Sequence, residues 1–284
     1  MMIKIADYKI HAIDTGRFRL DGGAMFGVIP QVLWAKTNPP DDKNRIELAL
    51  RTLLLDDGCK RILVDTGIGT KFDKKHEKIY GIDHDRLNLE IELEKVGYAR
   101  EDITDVFLTH LHFDHAGGTT YRKNGKLNLT FPKATYHVEK SHWNWAQKPS
   151  KRDRASFLTE NYRLMADAGV LNLFDGNIDR LFDNTTILKV HGHTPHMALL
   201  KIHDNHNQLL YCADLIPTAS HIPLPFIMGY DLNALQTLKE KEEILSQAYQ
   251  EDWILFFEHD PNCDAARIQK TDKDDYKARE TFYL

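Results

Sequence analysis

Cysteine is scarce in this chain of 284 residues, which has only Cys59, Cys212 and Cys263. No two of them have the CxxC spacing of thiolate zinc sites, and three cysteines cannot form an extensive disulfide framework. We therefore expect neither a disulfide-stabilised fold nor a cysteine-bound zinc site.

Long apolar runs are also missing. No stretch approaches the roughly 20 apolar residues that span a bilayer as a helix. Residues 1–7 lack the basic start and the apolar core of a signal peptide. These absences predict a cytoplasmic protein without a membrane partner.

Charge of one sign is not concentrated anywhere. The formal net charge is −5, and residues 71–78 and 148–154 are the only mildly basic runs. Such runs are usually solvated surface, so a nucleic-acid partner is not indicated. No Pro/Gly/Ser-rich linker interrupts the chain, and its hydrophobic content of 42% suffices for one large core. We expect a single domain over residues 1–284.

Helical spacing is visible in three segments, 87–96, 155–168 and 233–249, and Gly97 and Gly169 follow the first two. Short apolar runs of strand type lie between them. Strands that alternate with helices predict a layered α/β domain.

The most informative stretch is His110-Leu111-His112-Phe113-Asp114-His115, which places three imidazoles and a carboxylate in one short loop. Residues 103–109 before it have the composition of a buried strand, and residues 116–118 indicate a tight turn. Imidazole nitrogen suits zinc and its neighbours, and a carboxylate can hold a second cation nearby. His110 and His112 can share one metal while Asp114 and His115 reach another. The spacing therefore predicts a binuclear metal site at the end of a strand.

Two metal ions usually need three or more protein ligands each, so further ligands must follow downstream. Three more apolar runs lead into ligand-type residues: 186–190 into the segment with His193, 208–213 into Asp214, and 253–258 into His259.

This pattern resembles the metallo-β-lactamase superfamily, whose members carry an HxHxDH loop, a later His, an Asp and a last His. The resemblance implies an αββα sandwich, two face-to-face β-sheets with helices outside, and a binuclear metal site at the sheet edge. It implies two divalent ions, zinc first, with manganese, cobalt or iron accepted by the same ligand types. The implied ligands are His110, His112 and His193 for one ion, Asp114, His115 and His259 for the other, and Asp214 between both.

Asp65 matches an aspartate that closes an early strand in the same superfamily. The resemblance implies that it accepts a proton from a ligand imidazole, so that the other ring nitrogen faces the metal. A simple role as a turn residue at the end of a strand is the alternative.

Three segments, 23–34, 110–118 and 213–231, resemble one branch of the superfamily, the YtnP-like proteins and the acyl-homoserine-lactone lactonases. The implied reaction is the opening of a lactone ring, N-acyl homoserine lactones first, by a hydroxide held between the two ions. Three alternatives stay open: a phosphotriesterase like methyl-parathion hydrolase, a thioester hydrolase like glyoxalase II, and a metal-stabilised binding protein.

The residues that would meet the substrate are predicted in the same way. Apolar segments often line small-molecule sites, and Phe26, Trp34 and Phe113 are expected to contact the acyl side. Asp114 and Asp214 are the expected catalytic carboxylates.

Several lactonases place a Tyr soon after the bridging Asp, but here no Tyr follows Asp214 before Tyr230. His221 or Tyr230 is expected to assist the leaving group, with packing as the alternative role for each. The apolar early segments and the resemblance also suggest a homodimer.

Overall fold

The computed structural model describes residues 3–83, 88–175 and 178–284. Leu87, the first residue of one predicted helix, lies outside the described residues. The remainder of that prediction is met by a helix at Leu89–Lys95, which Gly97 follows with a φ of 92°.

The first sheet has seven strands in the order β1-β2-β3-β4-β5-β8-β9. Strands β1 to β4 pair in antiparallel fashion, and β4, β5, β8 and β9 run parallel. Its strands are β1 (Ile3–Ile5), β2 (Tyr8–Asp21), β3 (Arg45–Asp56), β4 (Arg61–Val64), β5 (Asp105–Phe107), β8 (Thr135–Glu139) and β9 (Leu171–Phe174).

The second sheet has six strands in sequence order, with only β12 and β13 parallel. Its strands are β10 (Thr185–Val190), β11 (Met197–His203), β12 (Gln208–Tyr211), β13 (Ile254–Phe256), β14 (Ala265–Lys270) and β15 (Tyr276–Phe282). A separate hairpin consists of β6 (Thr120–Lys123) and β7 (Lys126–Leu129).

Eight helices occur in the described part of the chain. They are α1 (Gly22–Phe26), α2 (Gln31–Trp34), α3 (Lys74–Tyr80), α4 (Leu89–Lys95), α5 (Phe113–Ala116), α6 (Lys140–Gln147), α7 (Thr159–Asp167) and α8 (Ala234–Gln250). None of them is long and apolar enough to cross a membrane.

The bounds of two of these helices differ slightly from those predicted from the sequence. The predicted helix at 155–168 begins only at Thr159, because residues 151–156 form turns. The predicted helix at 233–249 is α8, and the side chain of Asn233 caps it by accepting from Gln236 N. An Asn at this position stabilises a helix start because it bonds an amide that has no partner within the helix.

The two sheets pack face to face through apolar side chains. Leu53 and Leu55 of β3 belong to the same buried cluster as Leu200 of β11 and Phe256 of β13. A second cluster covers the other face of the first sheet with residues from α4, α6 and α7. Leu245 of α8 belongs to the cluster that contains the second sheet. The expected sandwich of helix, sheet, sheet and helix is confirmed.

Strand direction determines where the polar loops meet. Strands β10, β12 and β13 run in the same direction, since β10 and β12 each pair antiparallel to β11. The carboxyl ends of these strands therefore share one edge of the second sheet. The end of β5 comes to the same edge, because Ala198 N donates to Thr109 O at 2.9 Å.

Candidate metal centre

The loop after β5 is folded tightly against the loop after β4. Backbone amide and hydroxyl of Thr109 both donate to the Asp65 carboxylate, at 2.8 and 2.7 Å. A Cβ atom on Gly118 would lie 2.1 Å from Thr66 O, and one on Gly117 would lie 2.1 Å from Ile68 O. Glycine is therefore required at both positions, because only a bare backbone lets the two loops approach this closely.

Four buried side chains form the first ligand group, His110, His112, His193 and Asp214, which offer ligand atoms within 4.8 Å of one another. His112 Nδ1 lies 3.1 Å from both His110 Nε2 and His193 Nε2. Asp214 Oδ2 lies 3.0 Å from His193 Nε2 and 3.7 Å from His110 Nε2. The loops after β5, β10 and β12 thus converge on one point.

The second group consists of Asp114, His115 and His259, also buried and also within 4.8 Å. His259 Nε2 lies 3.3 Å from His115 Nε2 and 3.2 Å from Asp214 Oδ1. His115 Nε2 lies 3.4 Å from Asp214 Oδ2. Asp214 therefore stands between the two groups and faces both.

The donor atoms of these groups fit divalent metal ions. Nitrogens on one tetrahedral zinc lie roughly 3.3 Å apart, given the usual zinc–nitrogen bond length, which matches the spacings above. Burial lowers the pKa of His110 and of His112 well below the usual value, so both rings are neutral and keep a lone pair for a metal.

Asp214 supplies the matching negative charge. Burial opposes its ionisation, but His193 and His115 hold the pKa of this carboxyl well below its usual range. Its Oδ1 is buried and has no hydrogen-bond partner among the described residues, since His259 Nε2 lies near it outside hydrogen-bond geometry. A buried carboxylate oxygen without a donor is costly, and a cation would satisfy it.

Most of the histidines in the two ligand groups make a further polar contact through the ring nitrogen that is not directed at the ligand group. His193 Nδ1 contacts Asp231 Oδ1 at 2.9 Å, and His259 Nδ1 donates to Ala49 O at 2.9 Å. His110 Nδ1 lies 3.0 Å from Thr109 Oγ1. Such contacts select one ring tautomer and direct the other nitrogen toward the metal.

Two carboxylates flank the outer nitrogen of His115. Asp65 Oδ2 lies 3.1 Å from His115 Nδ1, and Glu258 Oε2 lies 2.9 Å from it. Tyr211 Oη also donates to Glu258 Oε2, at 2.5 Å. Burial raises the pKa of Glu258 to about 7, which favours a shared proton in this cluster.

Sequence reasoning did not identify Glu258, Asp231 or His142. Glu258 directly precedes the predicted ligand His259, and Asp231 ends the late segment of the branch resemblance, so both had a weak signal. His142 had none. Its Nε2 accepts from Leu111 N at 2.9 Å while Nδ1 donates to Pro195 O at 2.8 Å, and it thereby joins two ligand loops.

A cavity of about 400 Å³ opens onto both ligand groups. Phe113, Asp114, Asp214 and Tyr230, four of the residues expected at the site, lie in its lining together with His112, His193 and His259. The remaining lining residues are Leu20, Met25, Tyr80, Arg152, Asp153, Ala155, Ser156, Met228 and Gly229.

Three residues that were predicted to contact the substrate or the leaving group are absent from the lining of this cavity, which corrects the expectation for them. Phe26 and Trp34 are fully buried and stack on each other with ring centroids 5.4 Å apart. His221 also stacks on Phe26, with ring centroids 4.5 Å apart. These rings form a packed layer behind the cavity wall, in which the two large aromatic rings are removed from water and both imidazole nitrogens have polar partners.

His221 has no nitrogen left for a substrate. Its Nδ1 lies 2.8 Å from Thr218 Oγ1 and its Nε2 donates to Met25 O at 2.9 Å. Burial lowers its pKa to about 3, so the ring stays neutral. The packing role is the one that this structure supports.

The family model of the metallo-beta-lactamase superfamily matches residues 51–259, which include every residue of both ligand groups. The chain belongs to the metallo-beta-lactamase superfamily. Hydrolases of this superfamily bind divalent metals, typically zinc.

Known members show how far this similarity extends. An N-acyl homoserine lactonase from a Bacillus species is 28% identical over 173 residues, which is 59% of this chain and 60% of that protein. The chain thus matches less than two thirds of that relative's length. A probable metal-dependent hydrolase from Staphylococcus aureus has the same fold with a TM-score of 0.87, 26% identity and coverage of 99% of this chain and 100% of the other.

The dizinc quorum-quenching lactonase AidC, solved with the product N-hexnoyl-L-homoserine, superposes with a TM-score of 0.82. The comparison covers 100% of this chain and 98% of AidC at 22% identity. At that identity the likeness shows a shared metallo-beta-lactamase fold.

Proposed function

We propose that this protein is a metal-dependent hydrolase that opens lactone rings, with N-acyl homoserine lactones as the first substrate class. One observation carries the proposal: two groups of buried ligand atoms meet at the floor of a cavity that has an apolar wall. The lactonases among the related proteins support this choice of substrate.

The proposed metal-binding residues follow from the two groups. His110, His112 and His193 would hold one ion, and Asp114, His115 and His259 the other. Asp214 would bind both, because its two oxygens face His193 and His259 respectively. Two divalent ions there, zinc first, would supply Lewis acidity that activates water and polarises a carbonyl.

The chain's own residues would orient the reaction. Asp65 and Glu258 hold His115, and Asp231 holds His193, so each ring presents one nitrogen to the metal groups. These contacts are buried, and buried contacts keep ligand rings in a single orientation.

The cavity walls would position the substrate. Phe113 packs against Tyr80 with ring centroids 5.0 Å apart, and Met25 and Met228 add further apolar surface, which suits an acyl chain. Burial raises the pKa of Tyr230, so its hydroxyl stays protonated and can donate to the carbonyl or to the leaving oxygen.

The other predictions about the whole protein stay predictions. They are the single domain over residues 1–284, the homodimer and the cytoplasmic location.

The test is turnover of a panel by the protein loaded with zinc, manganese, cobalt or iron. The panel holds an N-acyl homoserine lactone, γ-butyrolactone, S-lactoylglutathione and a phosphotriester. We expect metal-dependent opening of the acylated lactone to exceed the other rates, and a chelator to abolish it.

Preference for the thioester or the phosphotriester would replace the proposed substrate while leaving the metal ligands in place. Binding of metal without any turnover would favour a binding protein instead. Metal content measured on the same samples separates a wrong substrate from an empty site.

A further inference from the structure

Lys241 of α8 has an unusual environment for a lysine. Its side chain is fully buried, and no carboxylate among the described residues forms an ion pair with it. Lysine is almost never fully buried without a partner, because the ammonium loses its hydration. Its partners here are backbone carbonyl groups.

The ammonium group of Lys241 donates to one short segment of chain. Its Nζ lies 2.7 Å from His221 O, 2.9 Å from Pro223 O and 2.9 Å from Phe226 O, with Leu224 O at 3.4 Å. An ammonium has three donors, and three of these contacts are short. Burial lowers the pKa of Lys241 to about 7, although the negative charges of Asp231 and Asp275 favour its charged form.

The segment that Lys241 holds leads directly into the cavity wall. Residues 221–226 precede Met228, Gly229 and Tyr230, which line the cavity. Outside a single turn at 219–221, the segment from 216 to 233 contains neither helix nor strand. Local turns satisfy some of its carbonyl groups, as Phe226 N does for Pro223 O at 3.0 Å. The others need partners from outside the segment, because a buried carbonyl without a partner is unfavourable.

The wall has several further attachments. Leu224 N donates to Asp275 Oδ1 at 2.9 Å, and His221 Nε2 donates to Met25 O at 2.9 Å. Gly229 N donates to Ala24 O at 2.7 Å, and the guanidinium of Arg152, which also lines the cavity, donates to Gly229 O. Arg152 is exposed, so water competes for its contact. The Lys241 contacts involve a fully buried cation and reach several carbonyl groups at once, so they hold the base of the wall.

We propose that Lys241 is a positioning residue that holds the 221–230 wall of the cavity and thereby determines how the acyl part of the substrate binds. Lys241 is not among the cavity-lining residues or the ligand groups, so it acts only through this segment. The kinetic readout of this inference rests on the lactonase function proposed above.

The test compares Lys241→Met with Lys239→Met. Both changes lie on α8, but the Lys239 side chain is 70% exposed and lies 3.9 Å from Glu243, so its loss controls for the substitution itself. Each variant is assayed with N-hexanoyl-homoserine lactone, with γ-butyrolactone, which lacks the acyl chain, and for metal content.

For Lys241→Met we expect KM for the acylated lactone to rise about tenfold, while kcat on γ-butyrolactone and metal content stay near wild type. Lys239→Met should match wild type throughout. An unchanged KM would overturn the proposal. Equal losses on both lactones together with lost metal would also overturn it, because they would indicate general damage to the fold.

Hydrogen–deuterium exchange gives a readout that needs no substrate. Amides of residues 222–230 should exchange faster in Lys241→Met than in Lys239→Met, while amides of β10 to β13 stay protected. If the wild-type protein opens neither lactone, the proposed function fails, and hydrogen–deuterium exchange alone tests the role of Lys241. Equal exchange rates at residues 222–230 in the two variants would overturn that role.

A folding failure is also informative. If Lys241→Met does not fold, Lys241→Gln, which keeps one donor group, is measured in the same way. If neither variant folds, Lys241 supports the whole fold rather than this wall, and the proposal is overturned.

Discussion

Nδ1 of His193 lies 2.9 Å from Oδ1 of Asp231, 38 positions later in the chain. Although burial alone would lower the pKa of His193, Asp214 and Asp231 raise it to about 10. The contact joins the loop after β10 to the end of the cavity wall. Asp231 thus orients a proposed metal ligand and anchors the wall at the same time.

Asp231→Asn is expected to weaken metal binding, because the amide no longer stabilises the same ring orientation of His193. Loss of such an outer contact typically costs about tenfold to a hundredfold in metal affinity. Competition with a chelator, followed by metal analysis, measures the change. Asp167→Asn on the exposed face of α7 is the control, and equal affinity of the two variants would contradict the assignment.

His110→Ala and Asp214→Ala are each expected to abolish hydrolysis, because each removes a proposed ligand. His206→Ala should change little, since His206 is exposed and lies outside both groups. Initial rates and metal content of the three variants provide the check. Similar losses in all three would show that the residue assignment is wrong.

Tyr230→Phe is expected to lower kcat about tenfold or more while metal content stays constant, because the change removes only the hydroxyl of a residue that lines the cavity. Steady-state kinetics on the acylated lactone measures this. The control is Tyr249→Phe, a tyrosine on the exposed side of α8. Unchanged kcat would leave Tyr230 with a packing role only.

His142→Phe is expected to destabilise the fold by about 3 kcal/mol, because Leu111 N and Pro195 O would both lose a buried partner. Denaturant unfolding with and without zinc gives the free energy of unfolding. His206→Phe provides the exposed comparison. If His142→Phe unfolds like wild type, His142 does not join the two ligand loops in solution.

Local patterns in the sequence were sufficient for much of the fold. The start of α8 at Asn233 and the end of α4 before Gly97 were predicted because capping depends on neighbours within one turn. The HxHxDH loop was recognisable for the same reason. Its three histidines and its aspartate lie close together in the chain, and both residue types are known metal ligands.

The sequence did not show which aromatic residues line the cavity. Phe26, Trp34 and Phe113 have similar chemistry, yet only Phe113 lines the cavity while Phe26 and Trp34 lie in the layer behind it. Side-chain composition cannot distinguish the surface of a wall from its interior, since both are apolar.

By itself, the sequence determined the superfamily, the layered α/β fold and the residue types that could bind metal, because these depend on local spacing and composition. Only the tertiary structure decided that Glu258 and Asp65 share His115, that His142 joins two loops and that Lys241 holds the cavity wall. Those contacts connect residues that are distant in sequence, and their hydrogen-bond geometry exists only after the two sheets have packed together.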